Sequence, residues 1–315
     1  GRTMRVAAID CGTNSIRLLI ADVQGENFRE VFRDMEIVRL GQGVDQTSEF
    51  HPDAIARTLT AVDEFSAEIV RRGVERIRFC ATSATRDAKN RDLFIDGVKS
   101  RLGVAPEVIS GEEEAALSFA GATKEMPDSL SPFLVVDIGG GSTEFVIGHR
   151  TVEKAKSVNI GCVRMSERHF KSDPATQEEI EAARKDIQVA IAEATSVVDI
   201  KSAKSLIAVA GTATTVAAAA LNLPEYDRYA IHLSHISAEK VHSVSNKFLN
   251  MSRNERAALG YMHPGRVDVI SAGLKRAFAI IKGEMPLVPQ QLKSRDRSQG
   301  KLIAQPDQKN DQESR

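Results

Sequence analysis

A chain of 315 residues, 42% apolar and 27% charged, suits two globular domains with real cores. Trp is absent and 5% of residues are aromatic, so Ala, Val, Ile and Leu must fill those cores. The formal charge is −1, from 42 basic and 43 acidic residues. That excludes a chain-wide polyanion sponge and a nucleic-acid binder of that kind, and leaves any grip on phosphate to a local arrangement. Cys11, Cys80 and Cys162 are odd in number and widely spaced, which points to reduced thiols, not disulfides or zinc ligands. No apolar run approaches the roughly 18 residues of a membrane span, and a strand begins where a signal peptide would lie. A cytoplasmic protein without a membrane partner is the expectation.

In chain order, Val6 to Ile9 and Ile16 to Val23 are strands flanking Asp10 and the turn Cys11-Gly12-Thr13-Asn14-Ser15. Pro52 to Arg72 has helical spacing, with Ile55, Leu59, Val62, Ile69 and Val70 as its apolar stripe. Ile77 to Thr82 is a strand, and Ser110 with Glu113 opens a helix to Phe119. Leu134 to Asp137 runs into Gly139-Gly140-Gly141, followed by the strand Phe145 to Ile147. Thr176 with Glu179 caps a long helix to about Val198. Ser205 to Ala210 is a strand entering Gly211-Thr212 and an Ala-rich helix to Leu221, and Ser237 and Ser252 are further N-caps. From Leu287 onward apolar residues nearly vanish, so a poorly packed or disordered tail is expected. The expected division is residues 1–125, 126–285 and a tail 286–315.

The strongest signal is an internal repeat. Ile9 to Ile20 aligns without a gap on Val136 to Ile147, with Asp10 and Asp137 standing 127 positions apart. Two similar hairpins at that separation imply two similar lobes facing each other across a cleft.

Glycine turns expose successive N–H groups and admit a ligand close to the main chain, and such nests bind anions, phosphate above all. Ser15, Ser142 and Thr143 add hydroxyls. Gly211-Thr212 at a helix start adds a third phosphate-type segment. Asp10 and Asp137 sit at strand ends just before their turns, and Glu144 stands where the first hairpin has Arg17. A carboxylate in a phosphate cleft calls for a hard cation, and Mg²⁺ fits. On local grounds Glu144 also fits an ordinary solvent-facing strand residue, and Glu112-Glu113-Glu114 fits a helix start tuned to its dipole. His232 and His235 suit a surface strand end. The Arg residues from Arg71 to Arg91 suit a solvated face as well as a basic rim.

These residues together resemble the exopolyphosphatase/guanosine pentaphosphate phosphohydrolase family of the actin-like ATPase superfamily. The likeness is carried by Ala8 to Ser15, Ala81 to Arg86, Ile109 to Ala115, Val136 to Glu144, Asn159 to Arg164, Gly211-Thr212 and Pro264 to Ile270, over roughly residues 5–273. It implies an α/β fold of two actin-like (ribonuclease H-like) lobes, each a mixed sheet with flanking helices, with the cleft between them. It implies Glu114 as catalytic carboxylate, and Glu114, Asp137 and Glu144 as ligands of Mg²⁺ or Mn²⁺. Phosphate contacts are implied at Gly12, Thr13, Asn14, Ser15, Arg86, Gly139, Gly140, Gly141, Ser142, Thr143, Gly211 and Thr212.

The expected reaction is release of terminal orthophosphate from inorganic polyphosphate. Guanosine pentaphosphate, converted to the tetraphosphate in the stringent response, is the alternative substrate, and a homodimer is the expected assembly. One departure stands out: Gly283 to Arg315 lacks the strand and helix with which the family closes its second domain. Two other classes stay open. A sugar- or acetate-type kinase shares the hairpins but not the Glu114 motif, and a non-catalytic polyphosphate or alarmone sensor would bind without hydrolysis.

Overall fold

The computed structural model describes residues 1–209, 211–232 and 234–262, with only the backbone at Thr212, Arg228, Tyr229 and Ala238, and the backbone of three short strands beyond. The first sheet contains β1 (Met4–Cys11), β2 (Ser15–Gln24), β3 (Asn27–Ile37), β4 (Arg76–Ala81) and β5 (Glu107–Val108), ordered β3-β2-β1-β4-β5. Its connections hold α1 (Val44–Thr47), α2 (Pro52–Arg71), α3 (Ser83–Asp87) and α4 (Arg91–Leu102). After α5 (Gly111–Thr123) comes the second sheet: β6 (Phe133–Ile138), β7 (Thr143–Gly148), β8 (Val152–Val158), β9 (Ser205–Val209) and β10 (Leu287–Gln290), ordered β10-β9-β6-β7-β8. With it go α6 (Cys162–His169), α7 (Gln177–Thr195), α8 (Gly211–Ala220), α9 (Arg228–Ile231), α10 (Ala238–Leu249) and α11 (Arg253–Ala257).

Read from β8 inward, the second sheet repeats the first strand for strand. In each, the three leading strands are antiparallel and the remaining pairings parallel. The duplicated hairpins are therefore the centres of two like-built lobes.

Residues two apart on a strand share a face, and β6 uses both faces. Leu134, Val136 and Ile138 join one core with Phe145, Ile147 and Ile187, while Phe133 and Val135 join another with Val146, Ile207, Val209 and Phe119. The second core is covered by α5, whose Ala115, Phe119 and Ala122 are buried there. Asp137 and Glu144 lie on this α5-covered face, in phase with Val135 and Val146.

Local signals hold well. Pro52 occupies the first turn of α2, and the side chains of Ser110, Thr176, Ser237 and Ser252 each accept the backbone N–H three residues on. Thr176–Glu179 and Ser252–Glu255 are reciprocal capping boxes.

Three expectations change. The strand predicted to reach Thr82 ends at Ala81, because Thr82 already accepts the first helical bond of α3, from Arg86 N at 2.9 Å. His232 follows the short helix α9 instead of ending a strand, and pairs with Glu125 at 2.8 Å. Leu287–Gln290, within the stretch expected to pack poorly, is a strand parallel to β9. Among the described residues it is the edge of its sheet, a position where a strand tolerates Pro289 and its missing N–H. Arg295–Asp296 and Lys301–Leu302 pair as a short antiparallel ladder, and the rest of that tail, with Pro264 to Ile270, lies outside the described residues.

Candidate functional site

The sheet register brings the acids together. Asp137 and Glu144 are direct cross-strand partners on β6 and β7, and Ser157 on β8 is the next neighbour of Glu144. The α5 helix lays its first turn over this row, so the carboxylates of Glu114, Asp137 and Glu144 each offer an oxygen within 4.8 Å of the other two. All three are buried, at 8%, 5% and 0% exposure. Ser118, one turn further along α5, donates to Asp137 Oδ2 at 2.5 Å, and Ser157 donates to Glu144 Oε2 at 2.6 Å.

Like charges placed directly opposite in a sheet repel, and here a third is added under burial. Burial drives the Glu144 carboxyl well above the usual carboxylate range, and the charges of Glu114 and Asp137 push it further, against a partial offset from Ser157. Glu144 Oε1 is buried with no hydrogen-bond partner. An orphaned buried oxygen among three carboxylates is what a hard, oxygen-seeking divalent cation satisfies, so these residues fit such an ion. At the matching position in the first hairpin, Asp10 faces Arg17 instead.

The glycine bends lie against each other. Each is closed by an equivalent bond, Gly12 N to Ser15 O at 2.9 Å and Gly139 N to Ser142 O at 3.0 Å. A Cβ at Gly140 would lie 2.8 Å from Thr13 Cβ. At Gly141 it would lie 2.5 Å from Ser83 Oγ and 2.8 Å from Thr13 Oγ1. Side chains here would force the bends apart, so the close approach of the lobes requires glycine.

Arg86, on α3 just beyond the end of β4, bridges the lobes. Its Nη1 donates to the Ile109 carbonyl at 2.8 Å and to Glu114 Oε1 at 3.1 Å, and its Nη2 reaches Ser142 Oγ at 3.4 Å. The sequence thus placed Thr13, Arg86, Glu114, Asp137, Gly140, Gly141, Ser142 and Glu144 in one region, and the structure joins them by direct contacts.

Other expected residues sit differently. Thr143 is fully buried and donates its hydroxyl to the Ile160 carbonyl at 2.6 Å, so it fastens the bend to the chain ahead of α6. Gly211 opens α8 two residues beyond Val209, the parallel-strand partner of Asp137, which puts it at the same sheet end. Asn14 turns its carbonyl to the N–H groups of Val38 and Arg39, and its side-chain oxygen is buried without a partner. It also lines a groove.

That groove, of about 770 Å³, was not anticipated. Its cations are Arg39, Arg57, Lys171, Arg253 and Arg256, and Ile37, Val163 and Phe170 give it an apolar side. Arg57 stands on α2, Arg253 and Arg256 on α11, and Arg39 and Lys171 on the connections after β3 and α6, with Glu167 and Asp173 also in the lining, so no local run of charge announces it. Ser118 and Ser157 also escaped the sequence reading, being single serines without a pattern around them.

Comparison with known proteins agrees with this fold. Residues 19–285 match the model of the Ppx/GppA phosphatase family. The chain is 48% identical over 279 residues to exopolyphosphatase 2 of Mycobacterium tuberculosis, covering 85% of this chain and 87% of that protein. A guanosine-5'-triphosphate,3'-diphosphate pyrophosphatase of Photobacterium profundum is 36% identical over 178 residues, 56% of this chain and 36% of the relative. Among solved structures, an exopolyphosphatase-like protein superposes with a TM-score of 0.89 at 42% identity, over 95% of this chain and 97% of its own. Two lobes of one topology, an acidic cluster where their glycine bends meet and a family match across most of the length lead to one assignment: the chain belongs to the Ppx/GppA phosphatase family.

Proposed function

We propose that the protein is a phosphoanhydride hydrolase that removes terminal orthophosphate from inorganic polyphosphate at the meeting point of the two glycine bends. The observation that carries this reading is the convergence of Glu114, Asp137 and Glu144 within 4.8 Å beside Arg86 and the Gly140 bend. Mg²⁺, or Mn²⁺ in its place, held by these three carboxylates would neutralise charge on phosphoryl oxygens and lower the repulsion between the acids and the substrate.

The protein's own groups then divide the work. Backbone N–H groups of the two bends cradle the terminal phosphoryl group, and Arg86 supplies fixed positive charge from the other lobe. Glu114, already held by Arg86, orients the attacking water and takes its proton. Phosphoryl transfer asks for positioning and charge stabilisation more than covalent chemistry, and these groups supply both. The groove lined by Asn14 carries five cations against the two acids Glu167 and Asp173, a net positive surface for the remaining phosphates of a polymer, which favours an extended polyanion.

One observation favours a second substrate. The apolar side of the groove, with Ile37, Val163 and Phe170, suits a nucleoside, and the guanosine-5'-triphosphate,3'-diphosphate pyrophosphatase relative aligns with 56% of this chain at 36% identity. Comparing kcat/KM on polyphosphate and on guanosine pentaphosphate decides between them.

Glu114→Gln tests the chemistry. Orthophosphate release in Mg²⁺ should fall by at least about 10²–10⁴-fold, the usual worth of a general base, with polyphosphate affinity within about threefold of wild type. Unchanged turnover overturns the assignment.

A further inference from the structure

We infer that Arg164 is a positioning residue for this reaction: it holds the Gly141–Ser142 peptide from outside the bend and locks it to the segment that carries Arg86. The inference rests on the phosphatase reading of the site.

Arg164 lies in the first turn of α6, with its side chain 12% exposed. Its three nitrogens reach three acceptors on three elements. Nε donates to the Gly141 carbonyl at 2.7 Å, Nη1 to Asp45 Oδ1 at 3.0 Å and Nη2 to Asp87 Oδ2 at 2.5 Å. Asp45 on α1 and Asp87 on α3 belong to the other lobe. A guanidinium spreads its donors in a rigid planar fork, so these acceptors are fixed relative to one another and not merely neutralised.

The Gly141 carbonyl shares its peptide unit with the N–H of Ser142. In a planar trans peptide the two point in opposite directions, so holding the oxygen aims the N–H. Gly141 has no side chain to hold its own backbone; the Gly139 and Gly140 carbonyls accept backbone N–H groups of the first turn of α6, whereas the Gly141 carbonyl accepts the Arg164 side chain. Asp87 is the neighbour of Arg86, which contacts the Ser142 hydroxyl. Both donors of Ser142 are thus governed from groups tied to each other through Arg164.

Asp45 also receives both Nε and Nη2 of Arg168, so its charge does not depend on Arg164 alone, whereas Asp87 pairs with Arg164. Lysine therefore separates the two roles: it keeps the charge but offers a single nitrogen.

The test compares wild type, Arg164→Lys, Arg164→Met and Asp87→Asn. Four readouts are taken: kcat/KM on long polyphosphate with Mg²⁺, orthophosphate affinity of the Mn²⁺-loaded protein, Mn²⁺ affinity by calorimetry, and melting temperature. In both Arg164 variants kcat/KM should fall about 100-fold, as for loss of an oriented backbone donor, and orthophosphate affinity about tenfold. Asp87→Asn should show a smaller fall of the same pattern. Mn²⁺ affinity should stay within about twofold of wild type and the Arg164→Lys melting temperature close to it. Activity of Arg164→Lys within threefold of wild type overturns the inference. So does a loss shared equally by Mn²⁺ affinity and melting temperature, which marks a merely structural role. A wild type that binds orthophosphate but releases none from polyphosphate refutes the hydrolase reading. The orthophosphate affinities of the variants then judge Arg164 alone.

Discussion

Glu144 is the residue at which stability and activity are set most directly against each other. Its charge stands opposite Asp137, near Glu114, wholly out of water, with one oxygen unpartnered. In metal-free protein this is a cost, and Glu144→Gln should remove it. In EDTA the variant should melt higher by a few degrees, at roughly 2–4 °C per kcal/mol for a domain of this size. In Mn²⁺ the order should reverse, because wild type gains about 2.7 kcal/mol when free metal is a hundredfold above its Kd and the variant gains far less. Calorimetric melting in the two buffers checks both signs. The repeat made Asp137 and Glu144 legible, since each sits at a fixed step from a glycine turn. Arg164 was visible only as part of a motif, because its acidic partners lie 77 and 119 positions away and no local pattern names them. The bond of the buried Thr143 hydroxyl is hidden in the sequence for the same reason: its acceptor, the Ile160 carbonyl, is set by tertiary folding.

At the scale of elements, the best-read feature is the start of α7. Thr176 accepts from Glu179 N at 3.2 Å, and Glu179 returns the bond to Thr176 N at 2.9 Å while also accepting from Lys171 N. These backbone donors pull the Glu179 carboxyl down to about 2. The sign follows: a lowered acid stabilises the fold fully above its unfolded value near 4.5 and loses that contribution as pH falls toward 2. Thr176→Ala, which keeps that backbone N–H, should cost about 1 kcal/mol at neutral pH. Glu179→Gln removes the carboxylate itself, so its gap to wild type should narrow between pH 4.5 and pH 2, measured by urea unfolding across that range. Such caps are legible because partner and cap lie three residues apart. The α3 helix was not, because five residues hold no periodicity to detect, although its Arg86 and Asp87 join the two lobes.

At the scale of the whole molecule, two like-built lobes meet through α6. Arg164 and Arg168 converge on Asp45, Arg168 continues to Asp186, and Glu167 accepts the Gly43 N–H. Burial pushes the Asp45 carboxyl up, but hydrogen bonds from Arg168 and Arg164 outweigh it and hold it below its ordinary range. Asp45→Asn should lower stability by about 1.5–3 kcal/mol, the worth of hydrogen bonds to a charged group, yet leave Mn²⁺ affinity unchanged. Parallel denaturation and metal titration check the pair. The two-lobe plan was legible from the repeat. The packing of α5 was not, since the helix follows the first sheet in the chain but buries its apolar residues against the second.

That placement of α5 has a consequence for the working cycle. Glu114, Asp137 and Glu144 all ride with the C-terminal half, whereas Arg86 rides with the N-terminal half. If the halves swing apart to discharge product, the acidic trio keeps its spacing and an ion seated there travels as a resident passenger. The guanidinium and the Gly12–Ser15 bend depart and return together, so the grip on phosphate is remade at each closure while the acidic trio is not.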